Sequence, residues 1–96
     1  MTILIRPAAK LDFENIWTYT EETWGKVQAE DYFHKFKEIL RSLEQFPDLG
    51  RIREDLLPEI RSIGVGQHVI FYRRVQEDIE IVRVLHKRMD PARHVY

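Results

Sequence analysis

The sequence contains no cysteine. That excludes a disulfide framework, a Cys-ligated zinc finger, an iron–sulfur centre and any cysteine nucleophile, and it fits a reducing compartment. Four glycines and four prolines punctuate the 96 residues, with no Ser/Gly linker, repeat or low-complexity tract. One domain is therefore expected. Nothing approaches the roughly 18 consecutive apolar residues of a membrane span. The opening MTILIRPAAK is interrupted at Arg6-Pro7, too early for a signal-peptide core. A cytoplasmic protein without membrane contact is the expectation. A glycine-rich phosphate loop is missing too, since Gly64 and Gly66 give only a GxG with no helical pattern behind it. There is no HExxH, and His34, His68, His86 and His94 fall on different predicted elements without metal-site spacing, so no metal and no cofactor are expected.

An excess of charge of one sign is also missing, with 15 Lys and Arg against 16 Asp and Glu. The balance hides an asymmetry. Residues 1–50 carry six basic and nine acidic side chains, and residues 51–96 carry nine and seven. The last fourteen residues, RVLHKRMDPARHVY, hold Arg83, Lys87, Arg88 and Arg93 against Asp90 alone. An anionic partner would meet this tail.

The hydrophobic period changes along the chain. Ile3–Arg6 reads as a short opening strand, and Pro7 suits the first turn of a helix. Over 8–24, Ala9, Phe13, Ile16, Trp17, Thr20 and Trp24 share one helical stripe, with Asp12, Glu21 and Glu22 on a solvated face. Over 27–46, Ala29, Tyr32, Phe33, Phe36, Ile39, Leu40, Leu43 and Phe46 recur at steps of three and four. Gly25 between the two stripes predicts a helical hairpin. After Pro47 the period becomes two. Residues 51–58 read as a loop, and 59–64, 67–74 and 79–86 read as strands rich in Ile, Val, Phe and Tyr. The predicted fold is α+β: an N-terminal strand, then a helical hairpin packed on a twisted antiparallel sheet, in the order β-α-α-β-β-β.

Both faces of that sheet are apolar. Val69 and Phe71 oppose Ile70 and Tyr72, and strict alternation sets Ile79, Ile81 and Leu85 against Val82 and Val84. One hairpin covers one face. The other is expected to be covered by a partner, with Leu11, Tyr19, Ile70, Tyr72 and Arg83 as contact candidates. The tail after residue 86 is expected to lie beyond the last strand, so that residues 93–96 could be removed with the fold intact. Arginines at a sheet end suit phosphate binding, and a nearby His or Tyr could move a proton.

The segments YTEETWGKVQAEDY, FPDLGRIREDL, IRSIGVGQHVIFYR and IVRVLHKRMDPARHV together resemble the ParE toxins of the RelE/ParE superfamily. The resemblance runs over nearly the whole chain and implies a RelE/ParE-like fold. It implies the toxin of a type II toxin–antitoxin module that inhibits DNA gyrase, blocks replication and is neutralised by a ParD-like antitoxin. The DNA-binding domain would then be the antitoxin's, with no sequence-specific DNA binding by this chain, and a toxin dimer or a toxin–antitoxin hetero-oligomer is compatible with it. On that reading Arg88, Arg93, His94 and Tyr96 form a gyrase contact and no catalytic residue is needed. The RelE branch cuts mRNA on the ribosome, and Arg61, Arg88 and Tyr96 could be laid onto its pattern. No carboxylate or lysine of this sequence matches that branch's general base.

Overall fold

A computed structural model describes residues 2–95; Tyr96, one of the candidates above, lies outside them. Strand β1 (Ile3–Ile5) leads into helix α1 (Pro7–Trp24) and helix α2 (Lys26–Gln45). Strands β2 (Arg51–Ile52), β3 (Arg61–Val65), β4 (His68–Val75) and β5 (Asp78–His86) follow, then a 3-10 turn at Pro91–Arg93. The five-stranded sheet has the order β1-β5-β4-β3-β2. The helical hairpin and the three long strands therefore lie where the periodicities placed them. The sheet is mixed, not antiparallel throughout, because β1 runs parallel to β5 with Ile3 beside Ile79. The loop expected at 51–58 contributes the edge strand β2, whose two residues are too few to carry a period.

Gly25 alone joins the helices, at φ 92°, a conformation glycine adopts without strain. Its N–H closes α1 on the Glu21 carbonyl and its own carbonyl accepts from Ala29 N–H. The hairpin packs Ala9, Ile16, Phe36 and Leu43 against Ile70, Tyr72, Ile79, Ile81 and Val84. Phe13 meets Phe33 and Phe36 edge to face, with centroids 6.2 and 5.3 Å apart. The two stripes fray at their ends: Trp24 and Phe46 are exposed, because each sits at a helix terminus past the sheet.

The second face is closed by the chain itself. Leu56 and Ile60 from the 53–60 loop and Val95 from the tail pack on Phe71, Val82 and Leu85. The loop is held by Arg53 N–H to the Ile60 carbonyl at 2.9 Å and by the Arg53–Asp55 pair at 2.7 Å, and the Arg53 guanidinium lies over Phe71. The expectation that a partner must cover this face is thus corrected. The tail is no free extension either, since Val95 is only 3% exposed. Removing residues 93–96 would open this second core.

Strand β5 departs from strict alternation. Phe71 pairs with Arg83 and Tyr72 with Ile81, which leaves Val82 as an extra, bulged residue. The phase shifts by one there. Val84 joins Ile79 and Ile81 on the helix side, and Leu85 joins Val82 on the other, reversing their expected faces. Arg83 is paired with Phe71, but its side chain runs away from the second core toward α1. It reaches Asp12 of α1 through Nε at 2.7 Å and Nη2 at 2.9 Å, while Nη1 donates to the His94 carbonyl at 3.0 Å. Asp12 Oδ2 also accepts from Val84 N–H at 3.0 Å. Asp12 is therefore not on a solvated face; it caps the part of β5 that β1 is too short to reach.

Toward the β2 edge of the sheet, the buried Tyr72 hydroxyl accepts from Gly50 N–H at 2.7 Å and donates to the Pro47 carbonyl at 2.9 Å. A β-carbon on Gly50 would come within 2.7 Å of the Tyr72 ring and 2.8 Å of the Ser62 carbonyl oxygen.

Two substitutions test these contacts in urea melts. Asp12→Ala strands a mostly buried guanidinium and should lower stability by about 3 kcal/mol, with Asp12→Asn less harmful because it still accepts from Val84 N–H. Gly50→Ala forces Tyr72 aside and should cost roughly 1–3 kcal/mol. Losses below about 0.5 kcal/mol in both would show that neither contact holds the fold.

Candidate functional site

Strands β4 and β5 end side by side, with His68 directly opposite His86. The imidazole centroids are 5.4 Å apart, nearly perpendicular. Helix α2 brings Tyr32 to this point. Its hydroxyl accepts from Gln67 N–H at 2.9 Å, lies 3.1 Å from the Val65 carbonyl and 2.6 Å from His68 Nδ1. One hydroxyl proton serves all three contacts only if it goes to Val65 and His68 carries its own proton on Nδ1. Neutral His68 then presents an unprotonated Nε2. His86 Nδ1 accepts from Arg88 N–H at 3.2 Å. Burial, and secondarily the charge of His86, holds the His68 pKa below its usual value. Burial pushes the Tyr32 hydroxyl up, against the opposing Gln67 hydrogen bond. The histidines looked dispersed in sequence because the cross-strand register that joins two of them is not a sequence spacing.

Beside this cluster lies a hollow of about 380 Å³, walled by Tyr19, Trp24 and Gln28. Tyr19 is 66% and Trp24 69% exposed. Among the described residues no three His, Cys, Asp or Glu side chains gather to hold a metal.

The basic tail leaves the same sheet end. Asp90 Oδ1 accepts from Ala92 N–H at 3.1 Å and starts the 3-10 turn. Lys87, Arg88 and Arg93 are exposed, and the Arg93–Asp90 contact is long, at 3.8 Å between solvated groups. His94 is half-buried, its carbonyl tied to Arg83. Arg88, Arg93 and His94 are thus presented by one braced segment. Arg61 is elsewhere: it sits at the far end of β3 from the β3–β4 turn, about 13 Å along the strand. There it donates to the Gly50 carbonyl at 2.8 Å and pairs with Asp48 at 3.4 Å, which staples the 47–50 turn. Arg61 and Arg88 thus lie toward opposite ends of the sheet, and Tyr96 lies outside the described residues.

The partner-contact candidates divide as well. Leu11 and Tyr19 are both exposed on α1, Tyr19 as a wall of the hollow beside His68 and His86. Ile70 and Tyr72 are fully buried under the hairpin, which removes them as surface contacts; the helices claim the sheet face that they occupy. Arg83 is engaged with Asp12, whose hydrogen bonds raise its already high pKa.

Residues 3–91 match the family model described as the ParE toxin of the type II toxin–antitoxin system, parDE. Toxin ParE1 of Caulobacter vibrioides is 39% identical over 87 residues, covering 91% of this chain and 90% of that protein. Toxin ParE1 of Mycobacterium tuberculosis is 38% identical over 93 residues, covering 96% and 95%. A solved structure titled as the chromosomal ParDE TA system from P. aeruginosa shares the fold, with a TM-score of 0.77, 20% identity and coverage of 90% of this chain and 95% of that one.

The depressed His68 pKa has a stability consequence. Below about pH 6.5 the unfolded chain protonates this residue before the folded chain does, so stability is complete above 6.5 and declines as pH falls through it. Urea midpoints should therefore drop between pH 7.5 and 5.5, and drop less in His68→Phe. Equal slopes in both proteins would assign the pH dependence to other groups.

Proposed function

Because this chain belongs to the ParE family of type II toxin–antitoxin toxins, we propose that it inhibits DNA gyrase, blocks replication in the cytoplasm and is neutralised by a ParD-like antitoxin. The observation that carries the gyrase reading is the braced basic segment. Lys87, Arg88 and Arg93 project into solvent from a turn held by Arg83 and Val95. Such an array is suited to contact: several solvated cations on a rigid support, with no nucleophile and base in hydrogen-bond reach among them. Poisoning gyrase requires no bond made or broken by the toxin, so Arg88, Arg93 and His94, together with Tyr96, act as contact residues. An mRNA endonuclease would need a convergent arginine and proton donor. The only arginine proposed for that role from within the sheet, Arg61, is spent on the 47–50 turn.

Expression without an antitoxin should arrest growth, induce an SOS reporter and leave transcripts uncut. Arg88→Glu and Arg93→Glu should each weaken gyrase inhibition in a graded way, by roughly five- to 150-fold, as expected for about 1–3 kcal/mol lost from a shared contact. These exposed positions are cleaner tests than truncation, which would damage the second core. Codon-positioned transcript cleavage without DNA damage, abolished by Tyr96→Phe, would overturn this reading in favour of the endonuclease.

A further inference from the structure

We infer that the hollow beside the His68–His86 pair binds a nucleobase, with the phosphate of the same nucleotide held by Arg88. A free nucleotide and an unpaired base of a single strand offer this same chemistry. The site does not depend on the toxin reading above.

The two imidazoles set the polar chemistry. His68 Nδ1–H is spent on the Tyr32 hydroxyl at 2.6 Å, so its Nε2 is an acceptor. Burial favours this neutral form. His86 Nδ1 accepts from Arg88 N–H at 3.2 Å, so the proton of the neutral ring sits on Nε2, a donor. Neither Nε2 has a partner among the described residues, and no side-chain nitrogen there is buried without one, so both are open to a ligand. The rings stand on directly opposed residues with centroids 5.4 Å apart. One acceptor beside one donor complements the adjacent donor and acceptor that each nucleobase carries on its pairing edge. An aliphatic ligand would leave both nitrogens unmet.

The walls set the shape. The hollow of about 380 Å³ is lined by Tyr19, Trp24 and Tyr32 and by the exposed amides of Gln28 and Gln67, and no Lys, Arg, Asp or Glu lines it. Its size falls within the roughly 300–1,000 Å³ of small-ligand sites. Tyr19 and Trp24 occupy positions roughly 7.5 Å apart along the α1 axis. That spacing admits one flat ring with a contact of about 3.5 Å on each side. Stacking on such rings is open to every base, since each has a π-face. Charge lies just outside. The Arg88 backbone abuts the His86 ring, and its side chain is exposed with no carboxylate partner among the described residues. A guanidinium fork matches two phosphate oxygens. An uncharged aromatic hollow with a cation at its border suits a flat heterocycle that carries an anion.

The test titrates the full chain with AMP, adenosine, ribose 5-phosphate, single-stranded oligoadenylate and the same strand in a duplex, and follows imidazole, indole and amide resonances by NMR. AMP should shift the His68, His86 and Trp24 signals saturably, adenosine should bind more weakly, and ribose 5-phosphate should leave these signals in place. Tyr19→Ala and Trp24→Ala alter exposed side chains and should leave the fold unchanged, which thermal melts check. Each should weaken AMP binding about fivefold or more, as for loss of a stacked base. Arg88→Glu should erase the advantage of AMP over adenosine. His68→Phe keeps a ring and removes the acceptor, so it should weaken both ligands; if it fails to fold, the Tyr19 and Trp24 variants decide. A single strand that binds more tightly than AMP, with its duplex inert, would identify an unpaired base as the source. AMP binding more tightly than the strand would identify a free nucleotide. No saturable shift with the strand or with AMP at about 10 mM, well above a millimolar affinity, would overturn the site. Equal shifts from ribose 5-phosphate would overturn it by leaving only an anion contact, and AMP affinity within twofold of wild type in both aromatic variants would overturn it by removing the base from this hollow.

Discussion

The carboxylate of Asp12 is the point on which the two layers and the tail converge. A three-residue β1 leaves most of β5 without a neighbour on that side. Pro7 turns the chain into α1, and the second turn of that helix sets Asp12 against the exposed edge. There it accepts one backbone and two guanidinium hydrogen bonds. Because Arg83 also holds the His94 carbonyl, α1, β5 and the C-terminal segment are fixed by one ionic node. A mostly buried pair of this kind is no great source of net stability compared with apolar packing, but it tolerates the loss of neither partner. Its value is geometric: it sets where the helix lies on the sheet and where the tail emerges.

A small domain with an apolar sheet on both faces has a covering problem, since a helical hairpin supplies one layer. This chain solves it with pieces that have no regular secondary structure of their own. Leu56, Ile60 and Val95 form a thin second layer over Phe71, Val82 and Leu85. The consequence for partners is that none is needed to complete the interior. Exposed apolar side chains remain, among them Leu4, Ile5 and Leu11, but they lie along β1 and the outer side of α1, away from the second core. Association is then a matter of grooves and edges laid over a finished core.

Much of this architecture was legible in the residues. Period 3.6 around Phe36 and period 2 around Ile70 located the layers, and Gly25 and Pro47 marked the breaks. The family resemblance added the functional reading, which the family match supports at the level of a type II toxin. What escaped the sequence was everything set by register. The bulge at Val82 is invisible in a run of Ile, Val and Leu, so Val84 and Leu85 were assigned to the wrong faces. Asp12 resembles any solvated helical acid until the short β1 exposes an edge for it to cap. His68 and His86 are separated by a strand and a turn in sequence, and only pairing makes them neighbours. Arg61 looked like a free cation because the turn carbonyls it binds carry no side-chain signature.

The Val82 bulge has a consequence for how this strand can change by insertion and deletion. Removing that one residue would restore unbroken alternation, with Ile81 and Val84 still toward the hairpin and Leu85 still toward the second core. Arg83 would keep its register opposite Phe71. Without the local twist of the extra residue it would lose its route to Asp12 and stand over the layer formed by Phe71, Leu56 and Val95, where a permanently charged side chain is costly. Regularising the strand therefore calls for a second, compensating replacement at Arg83.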